Sequence, residues 1–280
     1  MLDRFSVLAE GLHHPEGVTW DPVGERVIAG GEGGELYGVS LDGDVDLLSN
    51  SGGSMLGVAV DGTGRIYACD AGRGEVIRFD PRSKELRTFA RGPDGGELDT
   101  PNMLAFDDRG SLYVSCSGEE DEDQAGIVRV APDGEVRWWC RDVARYPNGL
   151  CLAEDGRSLL LVESRLPGLV RIPIRPDGSP GPREPFVVLA ETEPDGVALD
   201  ERGDAYVTRY RPDGIVRVTH AGAVEIVADD PLAHVFDAPT NLAFVGPSLD
   251  RAVVANVGDM FLLIGDLGVR GLPLRYPELP

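Results

Sequence analysis

Apolar and polar positions alternate along this chain in short runs, and the runs recur as a unit. One copy reads Leu104-Ala105-Phe106, a polar Asp107-Asp108-Arg109-Gly110 turn, then Ser111-Leu112-Tyr113-Val114-Ser115. A second reads Val197-Ala198-Leu199, Asp200-Glu201-Arg202-Gly203, then Asp204-Ala205-Tyr206-Val207-Thr208. Period-two alternation broken by Asp/Gly turns predicts β-hairpins. A third run follows in each copy, Gly126-Ile127-Val128-Arg129-Val130 and Gly214-Ile215-Val216-Arg217-Val218, and a fourth follows another turn, as in Gly134-Glu135-Val136-Arg137-Trp138-Trp139. Each unit therefore holds four antiparallel strands.

Every unit is entered through a related triplet. Three copies are close, Pro15-Glu16-Gly17, Pro147-Asn148-Gly149 and Pro194-Asp195-Gly196. Three are looser, Pro101-Asn102-Met103, Thr240-Asn241-Leu242 and Met55-Leu56-Gly57. Their third residues, Gly17, Gly57, Met103, Gly149, Gly196 and Leu242, stand 40, 46, 46, 47 and 46 residues apart. That spacing is typical of one four-stranded propeller blade. The sequence predicts an all-β, six-bladed β-propeller, with residues 1–280 as a single domain.

The N-terminal stretch Phe5-Ser6-Val7-Leu8-Ala9-Glu10 resembles the fourth-strand segment Phe186-Val187-Val188-Leu189-Ala190-Glu191. It is expected to complete the last blade, closing the ring and removing two free sheet edges. The acidic run Glu119-Glu120-Asp121-Glu122-Asp123 falls between strands and reads as a loop. Trp138 and Trp139 lie in an outer strand and are expected to pack between blades.

Charge narrows the partners. A net charge of −22 and a pI near 4.4 argue against nucleic acid and against anionic membrane surfaces, which need a basic patch. No apolar run reaches the roughly 18 residues of a membrane span, and the N-terminus lacks a signal-peptide pattern. The four cysteines, Cys69, Cys116, Cys140 and Cys151, form no C-x-x-C pair, which removes zinc-ribbon and thioredoxin readings. Buried, reduced thiols in a cytoplasmic protein are expected. The expected partner is a small-molecule substrate; oligomeric state is left open.

The triplets carry the candidate chemistry. In a propeller the first strand of each blade lies nearest the axis, so the middle residues Glu16, Leu56, Asn102, Asn148, Asp195 and Asn241 form a ring around a channel. Five of these six carry a side-chain oxygen. Two carboxylates with amide oxygens make a hard donor set that suits Ca2+. Mg2+, Mn2+ and Zn2+ remain open, although the lack of His and Cys in the ring disfavours zinc. Singly, each triplet is ordinary turn chemistry; convergence at blade spacing favours a metal.

The motifs His14-Pro15-Glu16-Gly17-Val18-Thr19-Trp20-Asp21, Pro147-Asn148-Gly149-Leu150 and Pro194-Asp195-Gly196-Val197-Ala198-Leu199-Asp200 resemble the senescence marker protein/gluconolactonase (regucalcin-like) family of six-bladed propeller hydrolases. The resemblance spans essentially the whole chain. It implies that Glu16, Asn148 and Asp195 bind a divalent metal, usually calcium, and that Asn102 contacts substrate or metal; the equivalent asparagine is a ligand in the related diisopropyl fluorophosphatase. Sugar-lactone hydrolases of the family often carry Arg-x-Asn-Asp-Gly where this chain has Thr100-Pro101-Asn102-Met103-Leu104. Thr100 for that arginine disfavours a gluconolactone-like substrate and favours a less polar one. Glu119 or Glu120 is the match for the family's acidic substrate contact.

The resemblance implies metal-assisted hydrolysis of a lactone. Asp195 is then the expected general base, with Asn102 orienting carbonyl or water. A histidine, His14 or His234, is the alternative base. Arg209, Tyr210 and Asn241 are further candidates for substrate contact. The lack of a G-x-S-x-G elbow disfavours a serine triad. A phosphoester hydrolase, a non-hydrolytic biosynthetic enzyme and a non-catalytic calcium-binding scaffold remain as alternatives.

Overall fold

The computed structural model describes residues 2–119, 125–144 and 146–279. Its strands form six four-stranded antiparallel sheets. Blade I spans residues 15–50, II 55–90, III 101–140, IV 147–188 and V 193–229. Blade VI takes three strands from residues 239–265 and its fourth, Phe5–Glu10, from the other end of the chain. Phe5 pairs with Gly265 and Ser6 with Ile264, so the ring closes as the repeated fourth-strand sequence predicted.

The core lies between blades. Tyr67 of blade II sets its ring edge-on to Phe106 of blade III at 5.1 Å. Trp139 of blade III packs edge-on against Tyr113 and donates its indole N–H to Gly178 O of blade IV, 2.8 Å away. Trp138 packs beside the cluster shared by blades II and III. All four cysteines are buried and free.

Residues 266–279 do something the alternation did not announce. They cross the lower face, below the ends of the inner strands. Leu272 N donates to Leu199 O at 2.8 Å, Tyr276 OH to Trp20 O at 3.3 Å, and Leu279 is buried beside Phe106. Residues Leu272 to Tyr276 thereby cap a small apolar chamber of about 90 Å³ on the axis. No helix among the described residues is long and apolar enough to cross a membrane.

Candidate metal centre

The inner strands share one irregularity. Their register with the second strand shifts between Pro15 and Val18, Met55 and Val58, Pro101 and Leu104, Pro147 and Leu150, Pro194 and Val197, and Pro239 and Leu242. A β-bulge re-aims the residue it holds, and here each bulge holds two residues, an upper one and a lower one. The upper tier is Glu16, Leu56, Asn102, Asn148, Asp195 and Thr240.

This corrects the expected ring in blade VI. Asn241 is not the counterpart of Asn102; Thr240 is, and its hydroxyl donates to Glu16 O at 2.8 Å. Asn241 stands in the lower tier with Gly17, Gly57, Met103, Gly149 and Gly196. The glycine contacts prove the alignment. A Cβ on Gly17 would lie 2.1 Å from Leu56 O, one on Gly149 2.5 Å from Asp195 O, and one on Gly196 2.6 Å from Thr240 O. Each glycine thus packs directly against the upper-tier carbonyl of the next blade.

Above the ring opens a cavity of about 890 Å³, lined at its base by Glu16, Leu56, Asn102, Asn148, Asp195 and Thr240. Glu16, Asn102 and Asn148 are buried and Asp195 is half-buried. One oxygen on each, Glu16 Oε2, Asn102 Oδ1, Asn148 Oδ1 and Asp195 Oδ1, is buried and receives no hydrogen bond from the protein. A buried polar atom without a partner costs about 1–3 kcal/mol, a deficit that a cation at this site would meet. The donor set fits one, being all hard oxygen with two carboxylates to balance a divalent charge. Among the described residues no three His, Cys, Asp or Glu side chains converge, so the amides are indispensable to any such site.

Hydroxyl groups just after the second strands hold the asparagines. Asn102 Nδ2 donates to Ser117 Oγ at 3.2 Å and Asn148 Nδ2 to Ser164 Oγ at 3.1 Å. Burial, and then the charge of nearby Asp195, raise the Glu16 carboxyl well above its ordinary range. Burial pushes Asp195 up to about 8, against the opposing pull of a hydrogen bond from Asn148.

The other candidate residues divide. Thr100 and Glu119 line the cavity, with Tyr146 and Tyr210. Glu120 lies outside the described residues. Arg209 does not reach the cavity: it is buried in blade V, where its guanidinium meets Asp229 Oδ1 at 2.6 Å and Ala228 O at 3.2 Å. His14 points its Nδ1 at Val257 O, 2.7 Å away, and neither it nor His234 is among the lining residues. Sequence reasoning missed Ser117, Ser164 and Glu193. The hydroxyls follow the second strand in blades III and IV at equivalent positions, a signal present in the repeat.

A six-bladed propeller with an axial ring of oxygen donors is the class that fold and site define. Residues 14–257 match the family described as SMP-30/Gluconolactonase/LRE-like region, and the chain belongs to that family. It is 24% identical over 177 residues to a gluconolactonase of Zymomonas mobilis, covering 54% of this chain and 49% of that one. It therefore spans about half the length of that relative. Among solved structures, a putative gluconolactonase superposes with a TM-score of 0.81 at 23% identity, covering 96% of this chain and 94% of the other. A calcium-binding protein of Agrobacterium tumefaciens, regucalcin, gives 0.78 at 21% identity, covering 98% and 96%.

Proposed function

We propose that this protein is a metal-dependent hydrolase that opens a lactone, with Ca2+ as the preferred ion. One observation carries the reading: four buried oxygens without hydrogen-bond donors, from four blades, at the base of an open cavity. Glu16, Asn102, Asn148 and Asp195 would hold the ion. A bound divalent cation supplies Lewis-acid polarisation of the lactone carbonyl.

The protein's own residues do the rest. Asp195 lines the cavity; with Oδ1 directed to the ion, its other carboxylate oxygen accepts the proton of the attacking water. Asn102, held by Ser117, orients the carbonyl. The capped lower end keeps bulk water from approaching beneath the ring. Leu56, Tyr146, Tyr210 and Val257 in the lining favour a less polar lactone than a sugar lactone, in keeping with Thr100 in place of an arginine. The resemblance to gluconolactonases supports the reaction class.

The test is a panel of lactones, an aryl ester and a phosphotriester, each assayed with calcium and with chelator. Calcium-dependent turnover of lactones, lost in Asp195→Asn with folding intact, is the expected result. No chelator-sensitive turnover on any lactone sinks the proposal, and turnover of the phosphotriester alone moves the site to another ester class.

A further inference from the structure

The lower tier of the bulges is glycine in four blades, because there the neighbouring backbone leaves no room for a side chain. Two blades break the rule. Blade III carries Met103 and blade VI carries Asn241. These blades are three apart in a ring of six, so they face each other across the axis. Their side chains meet: Asn241 Nδ2 lies 3.7 Å from Met103 Sδ. The head of Asn241 lies under the Asp195-Gly196 segment, since a Cβ on Gly196 would fall 2.8 Å from Asn241 Cγ.

Asn241 is only 1% exposed, and its Oδ1 receives no hydrogen bond. Turning the amide over would not help. A thioether sulfur has no proton to give, so it can accept from Nδ2 but cannot satisfy Oδ1. Met103 therefore selects which end of the amide it takes. The Thr240 hydroxyl is no donor either, its proton being committed to Glu16 O. Asn241 Oδ1, on the residue next to Thr240 of the upper tier, is left with the same deficit as the four unsatisfied oxygens there.

We infer that Asn241 supplies a fifth protein oxygen to the ring cation, from the tier below, and that Met103 is the residue that aims it. This rests on the metal reading of the ring. It also bears on ion choice. Calcium takes six to eight oxygens in irregular geometry, whereas magnesium demands a near-ideal octahedron and keeps several waters. A fifth protein donor from below favours calcium.

The experiment uses the full chain. Calcium and magnesium affinities are measured by calorimetry, and bound waters are counted from terbium luminescence lifetimes in H2O and D2O. Asn241→Leu should weaken calcium about tenfold or more, weaken magnesium less, and add one water to bound terbium. Its metal-free Tm should equal or exceed that of the wild type, because an unsatisfied polar atom is gone. Asn241→Asp keeps an oxygen in place; it should bind calcium at least as tightly as the wild type with the terbium water count unchanged. Met103→Leu should fall between. Calcium binding in the wild type with an indifferent, folded Asn241→Leu, or an Asn241→Asp that loses calcium while folded, overturns this inference alone. Failure of the wild type to bind either calcium or terbium overturns the ring reading and this inference with it.

Discussion

Asn148 donates its amide to Ser164, Nδ2 to Oγ at 3.1 Å, and the direction of that bond is forced. A serine hydroxyl has one proton, and Ser164 gives it to Pro194 O, 2.7 Å away in the next blade. Ser164 can only accept from Asn148, so Asn148 must present nitrogen to it and oxygen to the axis. Blade III repeats the arrangement, with Ser117 giving its proton to Pro147 O at 3.0 Å and accepting from Asn102. One hydroxyl thus ties two blades together and turns an amide oxygen toward the ring.

Removing that hydroxyl frees the amide to rotate. Ser164→Ala should lower calcium affinity about 10- to 100-fold, the usual effect of losing a partner that orients a ligand. Stability should fall by only about 1 kcal/mol, one hydrogen bond's net worth. Calorimetry and urea titration separate the two effects. Wild-type affinity in Ser164→Ala would show that the amide needs no such support.

The buried carboxylates give a pH dependence whose sign can be worked out. Asp195 sits at about 8 in the metal-free fold against an ordinary 3.8, and Glu16 is shifted in the same direction. Between those values the folded chain binds more protons than the unfolded one, so metal-free stability falls as pH rises from about 4 to about 8. Cation binding needs the ionised carboxylates and releases the protons. The Tm gained with saturating calcium should therefore increase across this window and level off above it. A gain that stays flat with pH would place the protons elsewhere.

Much of this was legible in the chain. Hairpin alternation and the recurring triplet gave the blade count, and the repeat of Phe186-Val187-Val188-Leu189 at the N-terminus announced the closure. Glu16, Asn102, Asn148 and Asp195 were readable because carboxylates and amides recur at one position of a repeat. Blade VI misled by one residue. Its bulge begins at Pro239, but Asn241 resembles Asn102 and Asn148, and resemblance drew the register off the proline. Arg209 was illegible for another reason: its partner Asp229 lies 20 residues away on the fourth strand, and no local pattern reports such a pair. The capping segment after Gly265 lacks alternation altogether, being held by isolated hydrogen bonds and a few anchored side chains.

The glycine tier is a steric requirement that can be tested at one position. On Gly149 a Cβ would lie 2.5 Å from Asp195 O and 2.7 Å from Gly196 Cα, both main-chain atoms. Backbone cannot swing aside as a flexible side chain can, so blades IV and V must separate locally. Gly149→Ala should cost about 1–3 kcal/mol, the typical range for overpacking, and should weaken calcium by displacing Asp195. Gly96 is the control, because a Cβ there meets nothing within 4 Å and its φ lies outside the left-handed region. Equal stability losses in the two variants, read by urea unfolding, would remove the close approach as the reason for glycine.

On the proposed reading, charge at the mouth of the cavity selects among lactones. Glu32, Glu119 and Glu193 line it with exposed side chains. Arg165 is the one cation among the described lining residues, and its guanidinium lies over the Tyr146 ring at 5.1 Å. A divalent ion offsets Glu16 and Asp195, and Arg165 offsets one more carboxylate, so two remain uncompensated at the entrance. The whole chain, these residues included, carries a charge of −22. Such a field disfavours anions and is screened by salt over about 10 Å at 0.1 M. Neutral lactones should outperform carboxylate-bearing analogues of equal size in kcat/KM. Raising salt from about 0.01 to about 0.3 M should narrow that gap by several-fold, chiefly by improving the anionic substrate. Glu32→Gln with Glu193→Gln should narrow it at low salt without altering turnover of the neutral lactone. Steady-state kinetics on matched substrates decides it: a selectivity indifferent to both salt and these substitutions would mean that contacts at the ring, rather than charge at the mouth, choose the substrate.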